Sequence, residues 1–174
     1  MNKRNSFILL LGTVLCLSHS VAHAEDGTIN FTGQIVATTC DVNGGTTDAI
    51  NVDLGTVAAT SFTAAGDTSS PTSFTISLSN CPTTFTAAAV KFDGTADAVD
   101  NELLEVTGGA TGVGIEIADN QGTQIPLYTA SRFYPIDATA AGVDMNFIAR
   151  YKSTAATVGE GEANATSQFT INYQ

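Results

Sequence analysis

Thr28-Ile29-Asn30-Phe31-Thr32-Gly33-Gln34-Ile35 near the start and Phe169-Thr170-Ile171-Asn172-Tyr173-Gln174 at the end decide the reading of this chain. Both alternate apolar and polar residues, and an extended backbone turns successive side chains to opposite faces. Ile29, Phe31, Gly33 and Ile35 therefore share one face, with Thr28, Asn30, Thr32 and Gln34 on the other. Phe169, Ile171 and Tyr173 share a face in the same way. Tyr173 can bury its ring while its hydroxyl reaches water or a polar partner.

Ahead of the first alternation stands an export signal. Lys3 and Arg4 form a basic start, residues 7–17 an apolar run, and Ala22-His23-Ala24 a small-residue cleavage site. The expected division is a signal peptide over 1–24, an N-terminal extension over 25–33 and one domain over 34–174. The apolar run is shorter than the roughly 18 residues a membrane span requires. No other stretch approaches that length, so no span is expected.

Cleavage changes the composition that matters. Both histidines and Cys16 fall in the signal, leaving Cys40 and Cys81. Two cysteines in an oxidising compartment read as one structural disulfide. They lack the close spacing of a redox pair and the four ligands that zinc takes. Four Lys and Arg stand against seventeen Asp and Glu after residue 24, a net charge of −13. Lys91, Arg132, Arg150 and Lys152 are too few for a nucleic-acid footprint. The polar faces carry Thr and Asp, unlike a membrane-surface helix.

The remainder reads as one all-β domain. Extended runs are expected near 28–39, 50–54, 72–79, 87–92, 103–106, 112–118, 125–128, 131–134, 144–152 and 166–173. Phe74, Ile76 and Leu78 alternate, as do Val113, Ile115 and Ile117. Asn43-Gly44-Gly45, Asp93-Gly94, Gly108-Gly109 and Asn120-Gln121-Gly122 punctuate them as turns. No stretch sustains a helical period, residues 59–71 form a polar loop, and a β-sandwich follows.

Catalytic chemistry finds little support. Without histidine there is neither a Ser-His-Asp nor a Cys-His arrangement. The one acidic stretch, Asp97, Asp100, Glu102 and Glu105, reads as a solvated connection rather than a glycosidase pair. Asp41 to Asp48 lacks the glycine position and closing Glu of a calcium loop. The glycine-rich turns lack the lysine of a phosphate loop. The expectation is no enzyme, no metal and no cofactor.

Several stretches together resemble the type 1 fimbrial subunit family, most of all its major rod pilins. They are Gly27–Ile35 leading to Cys40; Leu78-Ser79-Asn80-Cys81; Val113-Gly114-Ile115-Glu116-Ile117 running to Asp119 and Gly122; Phe147-Ile148-Ala149-Arg150-Tyr151; and Gly161 with Ala163-Asn164-Ala165 before the closing strand. The resemblance implies an incomplete immunoglobulin-like β-sandwich, a pilin fold that lacks its last strand and is completed by donor-strand exchange. It implies a periplasmic chaperone that first fills the groove, pairing with the strand of Phe169, Ile171 and Tyr173 and anchoring the carboxylate of Gln174. At an outer-membrane usher, the extension of the next pilin subunit then replaces it. Ile29, Phe31, Gly33 and Ile35 are the donor residues in that scheme, with Gly33 where the groove is shallow. Burying Ile29, Phe31 and Ile35 would contribute about 1.5–3 kcal/mol each.

The implied product is an extracellular fimbrium that supports adhesion. A tip adhesin would need an added lectin domain, for which the chain has no room. The Ala/Thr/Gly-rich composition with little Lys favours a rod subunit over an adaptor. The competing reading is a secreted monomeric β-sandwich that binds a glycan or protein through its loops. It lacks the tryptophan platforms that sugars favour.

Overall fold

The computed structural model describes residues 29–33, 35, 38–46 and 49–174. The chain divides after Ile35 into two units. The signal-peptide expectation lies outside the described residues. Among the described residues, no helix is long and apolar enough to cross a membrane.

The second unit is built from two antiparallel sheets. Its strands are β1 (Asp41–Val42), β2 (Thr72–Ser79), β3 (Ala87–Gly94), β4 (Leu104–Glu105), β5 (Val113–Asp119), β6 (Tyr134–Pro135), β7 (Val143–Ser153) and β8 (Ser167–Tyr173). The larger sheet runs β1-β2-β7-β5-β4 and the smaller β6-β3-β8. Phe74 lies opposite Phe147 in the β2–β7 ladder, and Ile115 lies opposite Tyr151 between β5 and β7. Alternation sets these faces. Ile76 and Leu78 of β2, Met145 and Phe147 of β7, and Val90 and Phe92 of β3 form one buried cluster between the sheets. Phe147 is fully buried and meets Phe92 edge-on at 5.3 Å and Phe74 at 5.6 Å, the geometry aromatic rings prefer.

Cys40 and Cys81 form the expected disulfide, and both are buried. Closing a loop with a sequence separation of 41 stabilises the fold by about 4 kcal/mol in the chain-entropy account. The bridge fastens the start of β1 to the turn after β2, where Cys81 N–H also donates to the Ala141 carbonyl at 2.8 Å.

Four expected strands differ, and of these 131–134 shrinks to β6 at Tyr134–Pro135. The described residues of 28–39 hold no strand, and the first ladder forms only past the cysteine, where Asp41 meets Ser79. Ile125 and Leu127 are buried but donate singly to the Ile117 and Glu102 carbonyls, which splits the run between two partners. Residues 50–54 are also without a ladder, and their surroundings give the reason.

A second, smaller packing layer lies on the outside of β5. All seven of its residues are buried, so the strand is covered over both faces. Leu103, fully buried, presses against Gly114, where a Cβ would come within 3.0 Å of its side chain. Next to it the Glu116 carboxylate accepts from Arg150 Nε at 2.7 Å and pairs with Lys152 Nζ at 3.1 Å. A carboxylate this deeply buried requires such partners.

Candidate binding groove

Residues 50–54 alternate without pairing: Ile50, Val52 and Leu54 are half-buried, and Asn51 and Asp53 are exposed. The same pattern runs along β8, where Ser167, Phe169, Ile171 and Tyr173 are half-buried and the residues between them exposed. A core strand inside a closed sandwich buries its inner face almost completely. These two segments bury theirs only halfway.

Between them lies a groove of about 700 Å³. Ile50, Val52 and Leu54 form one wall, and residues 165–169 form the other. Phe74, Ile76, Phe92, Leu104, Ile115 and Ala149 supply an apolar floor drawn from both sheets. Hydrophobic side chains thus line an open trough, a surface that gains free energy when covered.

The position of the second wall has local causes. β8 pairs with β3 from Ala88 opposite Tyr173 to Gly94 opposite Ser167, and stands last in its sheet. Its other edge carries no ladder among the described residues, leaving backbone N–H and C=O groups open to a further strand. Gly94 allows the close approach at the start of β8. A Cβ there would lie 3.2 Å from the Thr166 carbonyl and within the Leu104 side chain. At the other end, Tyr173 stacks on Phe85 with ring centroids 4.4 Å apart. Burial pushes the Tyr173 hydroxyl above its ordinary value of 10.0, and it stays neutral at physiological pH. Gln174 is drawn into the ladder. Its carboxylate oxygen accepts from Thr86 N at 2.6 Å, and its N–H donates to the Ala87 carbonyl at 2.9 Å.

Gly161 lies at a close backbone approach ahead of β8. Its φ is +155°, and a Cβ would run into the backbone of Gly109 and Ala110. The bend lies between two bridges, Thr111 to Gly159 and Gly109 to Glu162, that fasten the approach to β8. Only glycine fits such an approach.

The expected donor residues carry no strand in this structure. Ile29 is 78% exposed, Phe31 92% and Ile35 100%, and Gly33 has open space around it. Three large apolar side chains in a row stand in water.

The acidic stretch has ordinary work. Asp97 Oδ1 accepts from Val99 N and Asp100 N at 2.9 and 3.0 Å, and Asp100 Oδ1 from Glu102 N at 3.1 Å, capping successive turns. Asp41 binds Asn80 Nδ2, and Asn43 Oδ1 accepts from Ser77 N. Among the described residues, no group of His, Cys, Asp and Glu is arranged to hold a metal.

Sequence reasoning expected a strand at 166–173, where β8 lies, and read residues 50–54 as a strand rather than as the side of a groove. The spacing of Ile50, Val52 and Leu54 marked an extended segment, and nothing in it marked a missing neighbour. It also missed Glu116, whose clue was a carboxylate set inside the apolar run from Val113 to Ile117.

Comparison with known proteins agrees with this architecture. The family described as fimbrial protein matches residues 29–174. The type-1 fimbrial protein A chain of Salmonella typhi is 37% identical over 177 residues, 97% of this chain and 94% of that protein. The crystal structure of an antigen and type I fimbria protein of Burkholderia pseudomallei is 40% identical. It covers 84% of this chain and 97% of its own, with a TM-score of 0.62. The P pilus rod subunit PapA, 20% identical, covers 79% of this chain and 100% of its own at a TM-score of 0.66, which is a likeness of fold. The chain belongs to the fimbrial protein family, a family of structural subunits of bacterial surface fimbriae.

Proposed function

We propose that this subunit polymerises by donor-strand exchange: the extension of one copy lies in the groove of the next and completes its sandwich. The observation that carries the reading is the match in period between three places. Ile50-x-Val52-x-Leu54 and the start of β8 up to Phe169 wall a trough, and Phe169-x-Ile171-x-Tyr173 carries half-buried side chains on along the strand. Ile29-x-Phe31-x-Gly33-x-Ile35 presents exposed side chains at the same spacing. A strand laid along the open edge of β8 gains a backbone ladder and buries alternate side chains in the trough, the mode of β-strand addition.

Residues 1–24 direct export and are removed, 25–33 are the donor arm, and 34–174 are the acceptor domain. During export a periplasmic chaperone occupies the groove along β8 and holds the Gln174 carboxylate. At an outer-membrane usher the arm of the incoming pilin subunit takes its place. The product is a rod of identical or related pilins, with this chain as the main repeating unit. The subunit has no catalytic task.

The test is removal of residues 25–33 from the exported chain. Fibres made by the complete chain should resist SDS without boiling and run as a ladder. The shortened chain should fold, with its disulfide formed, and give only monomer. A shortened chain that still yields the ladder overturns the proposal and favours a binding module whose arm is incidental.

A further inference from the structure

Asn43-Gly44 is the one Asn-Gly pair in the sequence. Asparagine before glycine is where a peptide chain cyclises most readily, because glycine leaves its own backbone nitrogen unshielded. In that reaction the Gly44 nitrogen loses its proton to water and bonds to Asn43 Cγ. The Cγ–Nδ2 bond breaks, ammonia leaves, and a cyclic succinimide remains. Water then opens the ring at either carbonyl, giving aspartate or isoaspartate.

The fold holds the pair away from this reaction. Asn43 Oδ1 accepts from Ser77 N at 3.0 Å, so the side chain reaches across to β2 instead of back over its own carbonyl, where Gly44 N would attack. Asn43 and Gly44 have φ of +48° and +73°, the left-handed pair of a tight turn that favours asparagine followed by glycine. The hold is slight. β1 has two residues, meets β2 through Asp41 opposite Ser79 and Val42 opposite Leu78, and stands last in its sheet. The Cys40–Cys81 bridge bounds it on one side, and on the surface Asp41 Oδ2 accepts from Asn80 Nδ2 at 2.8 Å. A short edge strand of this kind opens locally at far less cost than the whole fold.

We propose that Asn43-Gly44 is a deamidation site gated by the β1–β2 contact, with Asn43 converting only while that contact is open. The two products act differently on the gate. Aspartate keeps an oxygen for Ser77 N–H. Isoaspartate carries the main chain through the former side-chain carbon and lengthens it by one atom, so the turn cannot be restored. Conversion is then a lasting record of opening. Asn43 lines the groove, and either product places a carboxylate beside that apolar trough. None of this depends on donor-strand exchange.

The experiment holds the exported subunit in mildly alkaline buffer, folded and in urea, with its disulfide intact in both. After digestion, the peptide with Asn43 is followed by mass as amide becomes acid, and its two isomers are separated by chromatography. In urea Asn43 should convert faster than Asn101, Asn120 and Asn164, which precede residues with side chains. In the folded subunit it should be slowed about tenfold or more. Asp41→Ala removes the bond to Asn80 at an exposed position, and should raise the folded rate, relative to its own rate in urea, by about fivefold. Asn80→Asp sets like charges face to face at the same place; it should do the same, and replaces the first variant if that one folds poorly. Ile117→Ala lowers stability in β5, which is not adjacent to β1, and should leave the ratio unchanged. Equal rates folded and in urea overturn the proposal, as does an Asn43 no faster than the other three in urea. An unchanged ratio in the edge variants also overturns it. So does an equal rise in Ile117→Ala, because the opening is then global.

Discussion

β5 and β8 have the same alternation in sequence and end in different states. Val113, Ile115 and Ile117 lie in a strand paired on both edges, covered over both faces and buried at every position. Phe169, Ile171 and Tyr173 lie in a strand paired on one edge among the described residues, half-buried along one face, with Phe169 lining the groove. Identical patterning thus produced a finished strand and an unfinished one. The difference lies in the neighbours: among the described residues β5 has β4 and β7, and β8 has β3 alone. Changes on the finished side should act on stability, and changes on the unfinished side on assembly.

The largest effect expected is an all-or-none loss of fibres from Gly33→Leu. Gly33 has nothing within 4 Å and its backbone requires no left-handed conformation, so the leucine costs the subunit itself little. On the donor-strand proposal, it would meet the shallow part of a neighbour's groove and find no room there. The unboiled SDS ladder should vanish while the subunit's melting temperature stays unchanged. A ladder of normal length breaks the comparison at its root.

Cys40→Ser should come next, because it acts on both sides at once. Opening the bridge removes about 4 kcal/mol from the subunit. It also loosens Val42 and Asn43, which follow directly and line the groove. Urea midpoint and ladder length should fall together. Ile117→Ala separates them: Ile117 is 5% exposed in β5, and a cavity there costs about 2–5 kcal/mol. Below its lowered melting temperature that variant should still polymerise. Ile171→Ala is the mirror image, costing the lone subunit about 1 kcal/mol or less because the side chain is half in water already. Its fibres should dissociate in SDS at a lower temperature than the unmodified ones. An equal stability loss for Ile117→Ala and Ile171→Ala removes the distinction between the strands.

The sequence carried the finished half of the molecule well. Strands expected at 72–79 and 112–118 lie at Thr72–Ser79 and Val113–Asp119, because the alternation of apolar residues is written in the sequence itself. The Cys40–Cys81 bridge was equally legible, with only two cysteines beyond the signal. The groove was legible in part. Phe169, Ile171 and Tyr173 pointed to a strand, and an incomplete fold came from family resemblance, because alternation is blind to whether a neighbour exists. For that reason residues 50–54 read as an ordinary strand, and their lack of a ladder belongs to the gap beside them. Glu116 escaped for another reason. Its partners Arg150 and Lys152 come from β7, 34 residues away in the case of Arg150, and no local pattern connects them.

The smallest effect expected tests the finished side by acid. Asp67 Oδ2 accepts from Thr63 N at 2.6 Å, Thr63 Oγ1 at 2.9 Å and Ala64 N at 2.9 Å. The turn so made seals the end of β7: Gly66 N donates to the Ser153 carbonyl, and Ser153 N to that of Asp67. Ser153 lies opposite Val113, so this seal belongs to the β5 side. The backbone N–H of Thr63, foremost among these donors, favours the ionised carboxyl and holds it below its ordinary value of 3.8. A depressed folded value means that the unfolded chain binds the proton more readily. The contribution is therefore whole above about pH 3.8 and is lost as pH falls through the lower, folded value. Asp67→Asn removes that titration, and its urea midpoint should fall less steeply than the unmodified subunit's as pH drops below 3.8. At neutral pH its fibres should match the unmodified ones, since the turn lies among residues that do not line the groove. Impaired assembly of this variant at neutral pH would show that the sealed side and the open side are coupled.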